Sequence, residues 1–192
     1  VNNIMIGGIG NVLLGDDGVG PYVARLLDAR YEFETGVEVA DLGTPALDLI
    51  DQISGRDAVI LIDSVDSDAT EASPGAVLLY RKADIMRHRP AVRMDPHSPA
   101  LVDALLSADL FGIAPADVLL VGVAAESYNA GCSLSNPVKA SLDRVVGAVL
   151  RELERLGIAY RRREHPGDLG IWWTADEKIE PSVATQVQPP FA

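Results

Sequence analysis

Two adjacent carboxylates, Asp16 and Asp17, stand in the glycine-flanked run GDDGVG, directly after the apolar, strand-like segment NIMIGGIGNVLL. A further acid, Asp63, follows the apolar run AVILI, and His97 stands in DPHSP. These side chains are remote in sequence, yet the acids fall at strand ends and the histidine in a loop. Two carboxylates and one imidazole suit a borderline divalent ion such as nickel or zinc, and they leave coordination positions open for water or a substrate atom. Carboxylates also act as general acid or base. Asp17, Asp63 and His97 are therefore candidate metal ligands, and Asp16, Asp17 and Asp63 are candidate catalytic acids.

Each residue also has a plainer reading. Asp16 and Asp17 suit a turn and helix cap, Asp63 suits a turn cap in DSVDSD, and His97 suits an ordinary loop histidine. Their common placement on one side of a sheet is what favours chemistry. His88, among arginines in MRHR, and His165 read as solvated.

The elements that must position them follow from periodicity. Residues 3–9 read as a buried strand, and Pro21 opens a helix running to about Arg30, because the N–H that proline lacks would be unbonded there anyway. Residues 37–41 form a second strand, with Thr44 capping a helix that opens at Pro45. The continuous apolarity of residues 58–62 predicts a parallel strand buried on both faces and ending at Asp63. The gap before the strand at 76–80 is too short for a parallel crossover, so that strand is expected antiparallel, at an edge. Residues 81–99 read as irregular, 99–110 as helix and 118–123 as the fifth strand. Asn136 and Pro137 open the longest helix, and Gly157 stops it. The expected fold is α/β, with three layers: a twisted five-stranded, mostly parallel sheet with one antiparallel edge strand and helices on both faces. In such sheets ligands bind outside the carboxyl ends of the strands, where the strand order reverses.

The 192 residues suit one domain over 1–164. Residues 165–192, with four prolines, two tryptophans and no periodicity, read as an extended or disordered tail. The single cysteine, Cys132, excludes an internal disulfide and a thiolate-rich zinc site and fits a reducing cytoplasm. A net charge of −12 argues against nucleic acid, and no apolar run is long enough to span a bilayer, so no membrane partner is expected. The short basic cluster Arg161–Arg163 reads as a solvated helix end.

Two other chemistries fit poorly. Gly8 and Gly10 supply part of a dinucleotide-binding G-x-G-x-x-G, but Leu13 takes the third glycine's place. The acids would also repel a pyrophosphate by roughly 4 kcal/mol per charge pair at 4 Å. No G-x-S-x-G elbow is present, and Ser64 and Ser98 read as turn or supporting residues beside the proposed ligands.

In order and spacing, GIGNVLLGDDGVG, DLGTPALDL, AVILIDSVD, DPHS and LLVGVAAES resemble the hydrogenase maturation proteases over about residues 3–157. The resemblance implies a five-stranded mixed sheet and an endopeptidase that removes the C-terminal peptide of a [NiFe]-hydrogenase large-subunit precursor. It implies nickel carried by that substrate as the recognition signal, other divalent ions substituting, and metal ligands Asp17, Asp63 and His97. Substrate contacts are implied at Gly10, Asn11, Asp41, Gly43 and Thr44. Position 17 is Asp where part of the family has Glu, Asp95 adds a charge before the Pro-His pair, and the tail has no family counterpart. Two alternatives remain: a non-catalytic metal-binding chaperone for the same precursor, and a related metal-dependent or aspartic-type protease resembling the spore germination protease.

Overall fold

The computed structural model describes residues 3–45, 48–88, 101–171 and 173. Five strands form the main sheet: β1 (Ile4–Ile9), β3 (Val37–Gly43), β4 (Ala58–Asp66), β5 (Val77–Arg81) and β6 (Asp117–Ala125). Their order is β3-β1-β4-β6-β5, with β1, β3, β4 and β6 parallel and β5 antiparallel to β6 at the edge. This agrees with the expected architecture, and the short β4–β5 connection explains the reversed strand.

The period-two alternation of the strands sorts their side chains onto two faces. Ile4, Ile6, Ile60, Ile62, Leu119 and Val121 pack on one side with α1 (Val19–Arg30) and α6 (Asn136–Arg155). Met5, Val59, Leu61, Val118 and Leu120 pack on the other with α2 (Leu49–Ile53), α4 (Lys82–His88) and α5 (Leu101–Leu110). The central strands are thus buried on both faces, as their unbroken apolarity requires.

The approach of α1 to the sheet depends on glycine. A Cβ on Gly20 would lie 2.2 Å from the Ile9 carbonyl oxygen and 2.4 Å from that of Ile62. Only hydrogen lets the helix N-terminus rest on the ends of β1 and β4.

Several elements differ from expectation. The strand expected to end at Asp63 continues to Asp66, because β4 keeps pairing with β6 after β1 has left the sheet. Its pairing with β1 stops at Gly8 opposite Ile62. Asp63 therefore lies inside a strand, but one step beyond its last pair with β1. The stretch expected to be irregular from 81 begins with α4. The helix expected from Pro45 is the shorter α2, and Leu47 of its expected stripe lies outside the described residues. Ser135, rather than Asn136, is the residue preceding α6, with extended backbone.

Arg161–Arg163 is not a helix end. A second, two-stranded antiparallel sheet pairs β2 (Tyr31–Phe33) with β7 (Tyr160–Arg162). Glu32 forms ion pairs with Arg161 and Arg163, and Tyr31 meets Tyr160 edge to face. Beyond it the chain stays on the domain: Arg163 N–H donates to Arg30 O, Gly167 N–H donates to Ala29 O, and Trp173 is buried. Trp172 and residues 174–192 of the expected tail lie outside the described residues.

Candidate active site

The loop leaving β1 turns sharply and enters a single turn of 3-10 helix, Gly15–Gly18, that carries Asp16 and Asp17 and leads into α1. At Gly10, φ is +136°, and a Cβ would sit 1.7 Å from the Asp17 carbonyl oxygen, so the turn closes only around glycine. The strand order reverses between β1 and β4, which places this loop over the crevice beside Asp63 and Ser64.

Asp17 and Asp63 come together here. Asp17 is buried; its Oδ2 accepts from the Asn11 backbone N–H at 2.9 Å and its Oδ1 accepts from Ser64 Oγ–H at 2.9 Å. Ser64 is fully buried, and its backbone N–H donates to Asp63 Oδ1 at 2.7 Å. One serine thus ties both carboxylates. Burial, and secondarily the charge of Asp17, pushes the Asp63 carboxyl well above its usual range, against the lowering effect of the Ser64 N–H.

Asp16 faces a different way. Its Oδ2 accepts from the backbone N–H groups of Glu126 and Ser127 at 2.8 and 3.1 Å, and its Oδ1 accepts from Ser135 N–H at 2.6 Å. It is 1% exposed. The side chain binds the β1–α1 loop to the β6–α6 loop. Backbone bonds from Gly15 N–H to Gly131 O and from Gly131 N–H to Leu13 O continue the same seam.

The second turn expected at the site is also adjacent. Asp41 Oδ1 accepts from Gly43 N–H at 3.0 Å, and Gly43 O accepts from Gly10 N–H at 2.8 Å. Asn11 Oδ1 is engaged within its own turn, accepting from Leu13 N–H at 3.0 Å. Thr44 is exposed just beyond β3. Gly10, Asn11, Asp41, Gly43 and Thr44 therefore line one rim with Asp17. His97 and Asp95 fall between α4 and α5, outside the described residues. Among the described residues no group of three or more His, Cys, Asp or Glu forms a metal cluster. Asp17 and Asp63 are the two acids that the fold converges.

Tyr128 was not singled out from sequence. Its phenol oxygen is buried, and burial, together with the charges of Asp17, Asp63 and Asp66, pushes its pKa up to about 12 against a lowering effect of Ser64. The available signal was an aromatic in the loop after the fifth strand, at the same rim as the acids.

The sequence profile of the hydrogenase maturation protease family matches residues 21–152. The chain belongs to this family. It is 36% identical over 163 residues to the hydrogenase expression/formation protein HupM of Azotobacter chroococcum mcd 1, covering 84% of this chain and 77% of that protein. It is 30% identical to the hydrogenase 2 maturation protease of Escherichia coli K12, over 84% of this chain and 96% of that one. The fold superposes on the hydrogenase maturating endopeptidase HybD from E. coli with a TM-score of 0.77 at 28% identity, covering 84% of this chain and 98% of that one. The [NiFe] hydrogenase maturation protease HybD from Thermococcus kodakarensis gives a TM-score of 0.61 at 27% identity, covering 78% of this chain and 98% of that one. As a hydrogenase maturation protease, the chain is a peptidase. Among the described residues no helix is long and apolar enough to cross a membrane.

Proposed function

We propose that this peptidase removes the C-terminal peptide of a [NiFe]-hydrogenase large-subunit precursor after nickel insertion, using the substrate's own nickel as the recognition signal. The observation that carries the reading is the convergence of Asp17 and Asp63 on Ser64 at the switch point of the sheet. Two buried carboxylates there form an anionic seat for a divalent cation, and His97 supplies the third ligand through a neutral ring nitrogen. The seat leaves room for ligands that remain on the substrate.

In this reading the Asp41–Gly43 turn and the Gly10–Asn11 turn bracket the extended substrate tail. Nickel orients the scissile peptide and polarises its carbonyl or a bound water. Asp16 is assigned to support rather than to proton transfer, since its carboxylate is committed to three backbone N–H groups of the β6–α6 loop and, unlike Asp17 and Asp63, is not joined to Ser64.

A second reading keeps nickel as a docking point and lets the carboxylate pair do the acid–base work. It is favoured by the asymmetry of the pair: Asp63 is held toward its protonated form by burial and by Asp17. In either reading the precursor loses mass. Incubating the purified protein with nickel-loaded and with nickel-free precursor and weighing the products tests the proposal. Loss of a C-terminal peptide from the loaded form alone is expected. Binding without mass loss would identify a chaperone instead.

A further inference from the structure

β3 ends the main sheet, so one of its sides has no strand beside it. In a parallel ladder every second residue of a strand turns both its N–H and its C=O to the same neighbour. Ile4 pairs with Val37, and Ile4 N–H donates to Gly36 O at 2.8 Å. Gly36, Glu38 and Ala40 therefore serve β1, while Val37, Val39 and Asp41 turn their peptide groups outward. Val37 N–H is used locally, donating to Glu34 O at 3.2 Å. What remains on the open side is Val37 C=O, both groups of Val39, and Asp41 N–H. Among the described residues no strand and no loop backbone pairs with them. Such a row is a template for an extended peptide.

The row is continuous with the acidic site. Toward β6 the site is closed by the seam in which Asp16 holds the N–H groups of Glu126, Ser127 and Ser135, and Gly131 N–H donates to Leu13 O at 2.9 Å. Toward β3 it is open: among the described residues a Cβ on Gly43 would meet nothing within 4 Å, and Thr44 is exposed. β5, at the other edge of the sheet, lies beyond β6 and is cut off from the acids by that seam.

We propose that the segment of the precursor that follows the cut bond passes Gly43 and adds to the free side of β3 as an antiparallel strand. The inference rests on the proposed processing of that precursor. The bulky, nickel-bearing part of the substrate stays above the rim, so the residues after the cut run away from it. The rim is the C-terminal end of β3, which makes the added strand antiparallel. Neighbouring strands lie about 4.8 Å apart, so the path from β4 across β1 and β3 to the added strand is roughly 14 Å, or about four extended residues. The residues after those are the ones that pair. Val37 and Val39 are half-buried on the α1 face, and Asp41 is exposed nearest the rim. The tail that fits carries apolar side chains opposite the valines and no acid opposite Asp41, because like charges in register repel.

The test crosses one protein variant with one substrate change, using the full chain and nickel-loaded precursor, with kcat and KM measured separately. Val39→Pro deletes the outward N–H and leaves the bonds to β1 in place, since edge strands accept proline where the N–H faces away from the sheet. It is expected to raise KM by roughly five- to tenfold, the scale of one backbone hydrogen bond, with the effect falling on KM rather than kcat. Precursor cut back to about four residues after the scissile bond is expected to show at least that rise with the wild type, and no further rise with Val39→Pro. Val39→Ala keeps the N–H and measures the part due to lost packing, and thermal unfolding reports whether each variant is folded. Should Val39→Pro not fold, synthetic copies of the tail, each methylated at one backbone nitrogen, are tested as inhibitors of the wild type. Inhibition is expected to weaken at every second residue. Equal Val39→Pro defects on full and shortened precursor, or weakening that ignores which nitrogen is methylated, overturn the added strand. No cleavage of either precursor by the wild type overturns the proposed function itself, whereas equal KM for both precursors overturns the strand alone.

Discussion

Ser64 Oγ and Asp17 Oδ1 meet at 2.9 Å across 47 positions of sequence, and the next peptide bond back carries Asp63. This contact joins the two acids that the fold would otherwise present separately. It exists because β4 runs on past its last pair with β1, so Asp63 and Ser64 have no strand partner on that side just where the Asp17 turn passes.

The burial of Asp63 implies a stability cost that function retains. A carboxyl whose folded pKa is raised binds its proton more tightly in the folded state. Folding is therefore favoured as pH falls through that raised value, and the cost is fully present above it. Asp63→Asn is expected to raise the melting temperature at neutral pH, by about 2–4 °C per kcal/mol relieved, while abolishing processing. The gain should shrink on acidification. Paired melts of the wild type and variant at neutral and acidic pH check it, and a variant less stable at neutral pH contradicts it.

Asp16 gives the opposite result. Removing its carboxylate strands three backbone N–H groups. Asp16→Ala is expected to cost about 3 kcal/mol or more, lowering the melting temperature by roughly 6–12 °C. Asp16→Asn sets an amide N–H2 against some of those donors and is expected to destabilise as well, whereas a pure general base would lose kcat without losing stability. Calorimetry on the two variants, with a processing assay alongside, distinguishes the roles.

Far from the site, Glu152 on α6 accepts both guanidinium arms of Arg81 at 2.5 and 2.7 Å and bonds Arg155, which also reaches Asp117. Burial opposes its ionisation, but the Arg81 and Arg155 bonds win and hold its pKa below the ordinary 4.5. The stabilisation is present above the ordinary value and is lost as pH falls through the lower folded one. Glu152→Gln is expected to destabilise by about 2–3 kcal/mol at neutral pH, since the arginines remain partly hydrated. The difference from wild type should close at strongly acidic pH, and denaturant titrations at both pH values read it.

Two glycines at the rim should separate close packing from backbone conformation. Gly20→Ala must push the carbonyls of Ile9 and Ile62 away from α1, so a loss of about 4 kcal/mol or more is expected. Gly43 has φ of +55° but open space around it, so Gly43→Ala should cost only about 1 kcal/mol. Equal melting temperatures for the two variants would contradict this packing.

Much of the architecture was legible because it rests on short-range rules. AVILI announces a strand buried on both faces, and the brief gap after it forbids a parallel crossover. The glycine turn before Asp17 marks the switch point. The pairing of β2 with β7 was hidden, because YEF and YRR are three residues each and carry no period. The extension of β4 through Asp63 was hidden for a related reason: Asp63, Ser64 and Asp66 break the apolar run while the strand goes on pairing with β6. The division of labour between Asp16 and Asp17 could not be read at all. Their types and spacing are the same, and the difference lies in backbone donors 110, 111 and 119 positions away from Asp16.

The central claim is that Asp17, Asp63 and His97 act together on the nickel-bearing precursor. The most direct measurement is a mass-spectrometric time course of that precursor with the wild type and with Asp17→Ala, Asp63→Ala and His97→Ala. The account predicts release of the C-terminal peptide by the wild type and none by the three variants over the same interval. Normal release by all three variants would contradict it.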